Sequence, residues 1–240
     1  MKNIILLNYL FLCLIFVSSA TKNELIGQQL SVKVHRDWNG NKIYGKVKRV
    51  SETNYKAIEV NGEISNSDLL KVDTCWYNNL GNAINAKAYN PDGGLASKKK
   101  FKIDDKGNCI EDDSYYSDGS LHDKEKRKYD DNGNMIEEND YEPDGGLIFK
   151  NINKYDANGN NIEKKNYNSD GILRLKTISK YDVKGNVIEE DCYNSDGSLD
   201  TKLTVNYEGF DKKGNWLKMI VFENSKLEGI TERKMVYYDK

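Results

Sequence analysis

Tyrosine is the residue type whose spacing in this sequence most suggests a binding surface. Two tyrosine series recur at a step of 26 residues: Tyr115, Tyr141, Tyr167 and Tyr193, and Tyr129, Tyr155 and Tyr181. Aromatic rings on a regular surface suit the apolar faces of sugars, so these side chains are candidate carbohydrate-binding residues. The structural alternative is that tyrosine favours strands and packs its ring against the edge of a sheet.

Short clusters of Asp, Asn and Gly are the second group that could do chemistry. Residues 130–134, Asp-Asp-Asn-Gly-Asn, superficially resemble a calcium-binding loop. An EF-hand loop needs oxygen ligands at alternate positions, a Glu at the twelfth and helices on both sides, and this spacing is absent from the sequence. We interpret the clusters as turns, with weak calcium binding at the surface as the alternative, and assign no residue to a metal.

Residues typical of catalysis are few. Two adjacent acidic pairs stand out: Glu137-Glu138 and Glu189-Glu190. Neighbouring residues of a strand point to opposite faces, so neither pair can flank one bond as the carboxylates of a glycosidase do, and both are expected to be solvated. His35 and His122 have no Cys or Ser partner in a recognisable arrangement. We predict no catalytic residue, no cofactor and no enzymatic activity.

The charge balance narrows the classes of partner. The chain has 240 residues, with 36 Lys and Arg against 38 Asp and Glu, and a net charge of −2. A binder of nucleic acid or of an anionic membrane needs a broad basic field, so we predict no nucleic-acid partner. Cys75, Cys109 and Cys192 show no metal or redox spacing, and we expect them to be small, buried or half-buried side chains.

Residues 1–20 have the features of a secretory signal peptide. A basic start precedes an apolar run and a small-residue end, Ser-Ser-Ala. Cleavage is predicted near Ala20/Thr21, which makes the protein secreted, periplasmic or bound to the outer cell surface. A lipid anchor at Cys13 is the weaker alternative, because Leu12 stands where the lipoprotein peptidase prefers a small residue. No later run reaches the roughly 20 apolar residues of a spanning helix, so we predict no transmembrane span.

A repeat of 26 residues occupies most of the chain. Its unit reads KYDxxGNxIExxxYxxDGxLxxKxxx. Each unit contains two turn signals, with Asp or Asn first and Gly fourth. These predict a type I turn continued by a left-handed glycine, which is a three-residue hairpin loop with a glycine bulge. Pro91 and Pro143 both fall at the second turn position, where the fixed φ of proline is favoured.

The segments between turns are about seven to nine residues long, which is typical of strands. We therefore predict an all-β fold: an elongated antiparallel β-meander of hairpin repeats that forms a twisted or spiralling open sheet. Residues 71–240 form this array with a C-terminal cap. Residues 21–70 lack the repeat and are interpreted as an N-terminal β cap or degenerate repeats, in which Asn61-Gly62 marks a further hairpin. A small separate domain is the alternative for residues 21–70.

The expected pairing places the tyrosines on a common face. Across the second turn Tyr141 stands opposite Leu147, and strict alternation then brings Tyr155 and Tyr167 to the same side. This shared side is the predicted Tyr face. Ile136 and its equivalents fall on the other face if both loops carry the glycine bulge, and they join the Tyr face if the Gly-Asn loop has two residues.

The repeat resembles that of a known bacterial family. Residues 155–160 (YDANGN) and 181–186 (YDVKGN), with Asp170-Gly171 between them, resemble the YD repeat of RHS proteins. The resemblance covers about residues 71–240 and implies spiralling β-hairpin strips, a secreted or cell-surface location, and encapsulation of toxin domains or binding of carbohydrate or protein. The unit is longer than is usual in that family, and the chain is too short for a closed shell around a toxin. The MORN-like repeats of the YwqK family are a weaker resemblance, through the YxxDG half.

Together these observations predict a secreted or cell-surface, non-enzymatic repeat protein that acts as a binding or scaffold module. The expected partner is a protein or a polysaccharide at the cell surface. One alternative is a carbohydrate-binding protein that uses the Tyr face. Another is an accessory of a toxin- or glycan-associated enzyme, with activity in residues 21–70, and a third is a structural spacer.

Overall fold

The computed structural model describes residues 35–36 and 42–239, with side chains from residue 42 onward. The predicted signal peptide of residues 1–20, its cleavage point, Cys13 and the side chain of His35 lie outside the described residues. Every regular element in the described part of the chain is a β-strand. Within residues 42–239 no helix has the length and apolar character needed to cross a membrane.

The described strands follow one another along the chain with short turns between them. In order they are β1 His35–Arg36, β2 Lys42–Ile43, β3 Val47–Val60, β4 Glu63–Tyr77, β5 Ala83–Tyr89, β6 Leu95–Ile103, β7 Cys109–Tyr116, β8 Leu121–Tyr129, β9 Met135–Tyr141, β10 Leu147–Tyr155, β11 Asn161–Asn168, β12 Leu173–Tyr181, β13 Val187–Asn194, β14 Leu199–Phe210, β15 Trp216–Glu223 and β16 Lys226–Tyr237. The repeat strands match the length that the turn spacing predicts, whereas β3 and β4 extend to 14 and 15 residues.

Strands β3 to β16 form a closed antiparallel barrel in which each strand pairs with its neighbours in the sequence. The ring closes where β16 pairs with β3, from Gly229 opposite Lys56 to Tyr237 opposite Val47. The predicted all-β meander is confirmed, but the predicted twisted or spiralling open sheet is wrong. Closure satisfies the backbone groups that an open sheet would leave unpaired on its two edge strands.

The Gly-Asn turn of each repeat has the predicted geometry. At residues 130–134 the amide of Gly133 donates to the carbonyl of Asp130, and the amide of Asp130 donates to the carbonyl of Asn134. Gly133 has a φ of 78°, in the left-handed region that favours glycine. The Asp130 carboxylate accepts from the amides of Asn132 and Asn134 and from the Asn134 side chain. The carboxylate therefore stabilises the turn, as in an Asx-turn.

The Asp-Gly turn of each repeat is built in the same way. The amide of Gly197 donates to the carbonyl of Asn194, and Gly197 has a φ of 85°. Pro91 and Pro143 hold the second position of equivalent turns, where no ladder hydrogen bond is lost. The predicted three-residue loop with a glycine bulge is therefore confirmed at both turns.

A further bulge in each hairpin sends the two tyrosine series to opposite faces of the barrel wall. Tyr141 pairs with Leu147 as predicted, but the register then shifts so that Phe149 pairs with Asp140. One residue of β10 is extra, so alternation restarts with Phe149 on the inner face. Tyr141 therefore points outward and Tyr155 points inward. The single Tyr face expected from strict alternation is wrong.

The isoleucine column lies on the outer face beside the Gly-Asn turns. Lys128 pairs with Glu137 and Tyr129 with Met135, which leaves Ile136 as a bulged residue. The exposed members are Ile84, Ile136, Ile162 and Ile188. These side chains share the outer face with the first tyrosine series, and the expectation that they face away from it is wrong.

The chain ahead of the repeats belongs to the same barrel. β3 and β4 are joined by a tight turn at Asn61-Gly62, where both residues have positive φ, so the predicted hairpin is confirmed. Upstream, the Tyr44 amide donates to the Asn215 side chain, which donates back to the Tyr44 carbonyl. This segment therefore contacts the Gly-Asn end of the barrel. β4 spans the predicted boundary between residues 70 and 71.

The apolar core lies on either side of the closing strand β16. One cluster contains Ile43, Val47, Val50, Cys75, Tyr77 and Ala86. The other contains Val205, Trp216, Met219 and Val221. The first cluster comes from β2 to β5, near the start of the described chain, and the second comes from β14 and β15, near its end. The middle strands have a different interior, which is described below.

Candidate functional site

The outward tyrosines lie beneath lysine side chains from the neighbouring strands. The distances from lysine Nζ to the tyrosine ring centroid are 5.3 Å for both Lys98 and Lys100 at Tyr115, 5.4 Å for Lys126 at Tyr141 and 5.9 Å for Lys176 at Tyr193. Tyr167 has the same outward position and pairs with Lys150. These distances are within the range of cation–π contacts. We call these tyrosines and lysines the outer Tyr–Lys rows.

Outward glutamates pair with other lysines of the outer face. Glu137 Oε1 lies 2.8 Å from Lys128 Nζ, and its Oε2 lies 2.9 Å from Lys150 Nζ. Burial favours a higher pKa for Glu137, but hydrogen bonds from Lys128, Asn139 and Lys150 outweigh it and lower the pKa to about 2. Exposed ion pairs of this kind contribute about 0–1 kcal/mol each to stability. Their main effect is to orient the lysine side chains along the wall.

The inward tyrosines close the Gly-Asn end of the barrel. Each hydroxyl donates to a backbone carbonyl on the preceding, adjacent strand, at 2.7 Å from Tyr129 to Cys109, 2.8 Å from Tyr155 to Met135 and 2.8 Å from Tyr181 to Asn161. Burial raises the pKa of Tyr129 well above its usual value. The rings and hydroxyls of this series are therefore committed to the interior. The structure places the predicted tyrosine sites on two faces and does not bring all of them together.

A cluster of charged side chains fills the inner face of β7 to β9. The guanidinium of Arg127 contacts three carboxylates: Asp112 Oδ2 at 2.6 Å from Nη2, Glu138 Oε1 at 3.2 Å from Nε, and Glu125. All four side chains are buried. The strand register explains the cluster, because Asp112 pairs with Glu125 and Arg127 pairs with Glu138 on neighbouring strands. Such charges are tolerated in the interior only when they are paired.

Two lysines, the half-buried Lys99 and the buried Lys164, complete the charge balance of this cluster. Lys99 Nζ lies 2.7 Å from Glu125 Oε1 and 3.3 Å from Asp112 Oδ1. Lys164 Nζ lies 4.0 Å from Glu138 Oε2. Burial favours a higher pKa for Glu125, but Lys99 and then Arg127 outweigh it and lower the pKa to about 2. Glu125 is therefore a firmly ionised group inside the barrel.

Two more aspartates extend the cluster toward the Asp-Gly end. Asp140 pairs in register with Glu125, and Asp123 lies two residues before Glu125 on the same face. Burial, followed by repulsion from Glu125 and Asp123, raises the pKa of Asp140 to about 8. One carboxylate oxygen from each of the three lies within 4.8 Å of the others. We call Asp123, Glu125 and Asp140 the acidic triad; among the described residues it is the group placed to share a metal ion.

The inner cluster was missed by sequence reasoning because it occupies columns that vary between repeats. One such column, at the 26-residue step, contains Ala86, Asp112, Glu138, Lys164 and Glu190. The invariant columns hold turn residues and outward side chains. The prediction that Glu137 and Glu138 point to opposite faces is confirmed. The prediction that Glu138 and Glu190 are solvated is wrong, because both side chains are buried. The signal in the sequence that could have revealed the cluster is this column, which carries ionisable residues of both charge signs.

The cysteines and His122 fit their expectations. Cys75 and Cys109 are buried, Cys192 is half-buried, and none of these three thiols forms a disulfide. Burial raises the pKa of the Cys109 thiol to about 12, so it is protonated at neutral pH. His122 is exposed and contacts the Asp123 carboxylate beside the acidic triad.

Comparisons with known proteins identify no family for this chain. No protein-family profile matches the sequence, and no curated protein matches it. Among solved structures, the chain is similar to a porin-like protein from Bacteroides uniformis, at 10% identity and a TM-score of 0.49, over 81% of this chain and 98% of that one. A porin-like protein from Bacteroides vulgatus is matched at 14% identity and a TM-score of 0.43, over 81% and 99% of the two chains.

The structural matches also include a large toxin assembly. The Photorhabdus luminescens Tc holotoxin pore is matched at 12% identity and a TM-score of 0.28, over 90% of this chain and 14% of that one. This chain therefore corresponds in length to a small part of that protein. The resemblance to RHS repeats stays a prediction from the YD motifs.

Proposed function

We propose that the protein is an exported, non-enzymatic binding module of the RHS/YD type, and that its outer Tyr–Lys rows bind an acidic polysaccharide. The observation that carries this proposal is the recurrence of an outward tyrosine beneath lysine ammonium groups. The proposal keeps the carbohydrate partner that the tyrosine spacing predicts. It restricts the contact surface to Tyr115, Tyr141, Tyr167 and Tyr193.

The spacing of the outer rows suits a polymer with a repeating unit. Tyr115, Tyr141, Tyr167 and Tyr193 lie on β7, β9, β11 and β13. Neighbouring strands are about 4.8 Å apart, so tyrosines on alternate strands recur about every 10 Å around the wall. A chain of sugars laid across the strands would meet one aromatic ring at each such step. Single sugars would gain only one contact and bind weakly.

The lysines favour an acidic sugar over a neutral one. Lys98, Lys100 and Lys126 stand above tyrosine rings, beside the places where the apolar face of a sugar would stack. An ammonium group at the edge of that face can donate to a sugar carboxylate or sulfate. The affinity should therefore fall as salt screens the lysines.

The outer face also suits an extracytoplasmic protein in contact with water. Lys150 and Lys176 lie near the middle of β10 and β12, are partly exposed and pair with the outward Glu137 and Glu163. A lysine on a strand face turned to the middle of a lipid bilayer costs about 2–4 kcal/mol. These rows favour secretion into, or display in, an aqueous compartment after cleavage of residues 1–20.

Affinity gel electrophoresis with polygalacturonate and dextran tests the proposal. We expect wild-type protein to be retarded by polygalacturonate, less at 0.5 M NaCl, and little by dextran. The double variant Tyr141→Ala/Tyr167→Ala should lose most of the retardation. Tyr155→Phe is the matched control, because Tyr155 belongs to the inward series and should bind as wild type does.

Three outcomes would overturn the proposal. Wild-type mobility that is the same with and without an acidic polysaccharide would exclude this ligand class and leave a protein partner for the outer rows. Release of new reducing ends from the polysaccharide would show enzymatic activity. Unchanged retardation of the double variant would remove the tyrosines from the binding surface.

A further inference from the structure

The acidic triad combines three carboxylates in a small volume on the inner face of the barrel. Oxygens of Asp123, Glu125 and Asp140 lie within 4.8 Å of one another. Glu125 and Asp140 come together because they are register partners on β8 and β9. Negative charges at this separation repel strongly where water is largely excluded. The triad therefore requires a proton or a cation.

The neighbouring cations are already engaged. Three cations, the half-buried Lys99 and the buried Arg127 and Lys164, face three carboxylates through the contacts given above: Asp112, Glu125 and Glu138. Asp123 contacts the exposed imidazole of His122. Asp140 makes no ion pair with any residue in the described part of the chain. Two aspartates thus remain without a buried positive partner, and when both are ionised their charge is balanced by one divalent cation.

Oxygen atoms without partners provide a second, separate observation. Within residues 42–239, Oδ1 of Asp123, Oδ1 of Asp140 and Oγ of Ser114 are buried and make no hydrogen bond. Asp140 is 7% exposed and Ser114 is 5% exposed. Ser114 pairs in register with Asp123, so its hydroxyl is on the same inner face. A buried oxygen without a partner costs about 1–3 kcal/mol, and one cation could satisfy all three atoms.

We propose that the acidic triad, together with the Ser114 hydroxyl, binds one calcium ion inside the barrel. A ligand set of carboxylate and hydroxyl oxygens alone suits hard cations, whereas zinc and copper sites in proteins usually include nitrogen or sulfur ligands. Calcium–oxygen distances are about 2.3–2.6 Å, so oxygens on opposite sides of the ion lie up to about 5 Å apart. Magnesium–oxygen distances of about 2.0–2.1 Å allow only about 4.2 Å. The oxygen separations in the triad, all within 4.8 Å, lie inside the span of a calcium ion.

The residues around the acidic triad orient its carboxylates and leave the site accessible from one end of the barrel. Lys99 and Arg127 each hold one oxygen of Glu125, which fixes the orientation of that carboxylate without using all its lone pairs. Asp123 and Asp140 lie close to the Asp-Gly turns of their hairpins, and the Asp123 side chain is 14% exposed. An ion can therefore reach the triad from that end of the barrel. The site is separate from the outer Tyr–Lys rows.

Calcium titration of the full chain, after treatment with EDTA and desalting, tests the proposal. We expect isothermal titration calorimetry to give one calcium per chain, with a Kd in the range of about 10⁻⁴–10⁻³ M that is common for extracellular calcium sites. Electron paramagnetic resonance of Mn²⁺ should show one bound ion that calcium displaces. Asp140→Asn should weaken the binding of both calcium and Mn²⁺ by at least about tenfold, because it removes one ligand charge.

Matched variants identify the site and separate binding from folding. Glu190→Gln removes another buried inner carboxylate and should leave calcium binding unchanged. Asp196→Asn removes an exposed turn carboxylate and should also leave calcium binding unchanged. Urea unfolding without calcium should show that Asp140→Asn is folded. The proposal is overturned if neither metal binds at millimolar concentration, if Asp140→Asn binds as wild type does, or if Glu190→Gln loses binding to the same extent.

Discussion

The two parts of the barrel wall differ in what they place inside. The middle strands β7 to β9 bury Asp112, Glu125, Arg127 and Glu138, whereas β14 and β15 bury Val205, Trp216, Met219 and Val221. The backbone pairing is the same in both parts, a continuous antiparallel ladder. Closure of the sheet therefore does not depend on an apolar interior throughout. The closed barrel combines an apolar cluster on each side of β16 with a polar interior along its middle strands.

Equivalent positions make the difference explicit. Met219 follows its Gly-Asn turn at the same offset as Glu190 and Glu138 follow theirs. All three side chains are buried on the inner face. One column of the repeat therefore changes from charged to apolar toward the end of the array. Terminal repeats often differ in this way because they meet a different neighbour, and here that neighbour is the closing strand.

The largest expected effect comes from breaking the charged part at its centre. Arg127→Met leaves Asp112, Glu125 and Glu138 with one cation fewer, and removing one partner from a buried ion-pair network costs about 3–5 kcal/mol. Urea unfolding at pH 7 should show this loss. Lys128→Met is the matched control, because Lys128 is the exposed neighbour and pairs only with outward Glu137. A loss for Arg127→Met as small as that of the control would contradict the network.

The converse change introduces a charge into the apolar part. Met219→Glu places at the end of the array the residue type found at Glu190, but among Val205, Trp216 and Val221. An additional carboxylate there, where the buried Arg233 guanidinium lies over the Trp216 ring and already pairs with Glu52, should cost about 2–4 kcal/mol at pH 8, and less at pH 5, where the carboxyl takes up a proton. Met219→Leu, a volume-conserving control, should cost less than about 1.5 kcal/mol. Equal unfolding midpoints for the two variants would show that this part also accepts charge.

A smaller, pH-dependent effect is expected at Glu190. Burial raises its pKa to about 7, against a hydrogen bond from Ser179 and attraction by Lys164. Between the unfolded value of 4.5 and about 7, only the folded protein keeps this proton, so this group makes stability fall as pH rises through that window.

Glu190→Gln should remove that fall. We expect its free energy of unfolding to exceed that of wild type by about 1–3 kcal/mol at pH 8 and to be nearly equal at pH 4.5. Urea titrations at several pH values between 4.5 and 8 measure the difference. Glu189→Gln, on the outer face beside Lys180 and Lys202, is the control and should show no such gain at high pH.

The repeat allowed the turns and strands to be predicted, because each copy restates the same local chemistry. Asp130, Gly133 and Asn134 form the Gly-Asn turn as the motif predicts. Closure could not be predicted, since it depends on β16 meeting β3, and neither strand belongs to the regular repeats. The faces could not be predicted either. One extra residue after Leu147 reverses every later side chain of the strand.

The candidate sites divide in the same way. Tyr115, Tyr141, Tyr167 and Tyr193 were visible as an invariant column, and the structure leaves them on the outer face. Asp140 and its neighbours in the acidic triad were hidden because no column repeats their chemistry. A regular sequence reveals what every copy needs for its own turns and strands. What differs among copies is set by long-range contacts across the interior.

The smallest effect separates the two tyrosine series. Tyr155→Phe removes the hydroxyl that donates to the Met135 carbonyl at 2.8 Å, and that carbonyl keeps its second hydrogen bond, from the Asn153 side chain at 2.9 Å. The loss of one buried hydrogen bond should lower stability by about 0.5–1.5 kcal/mol. Tyr141→Phe, on the outer face beneath Lys126, keeps its ring and should change stability by less than about 0.5 kcal/mol. Urea unfolding of both variants measures the difference. Equal losses would mean that the hydroxyls of both series are used alike, and the assignment of one series to the interior and the other to a ligand-facing surface would fail.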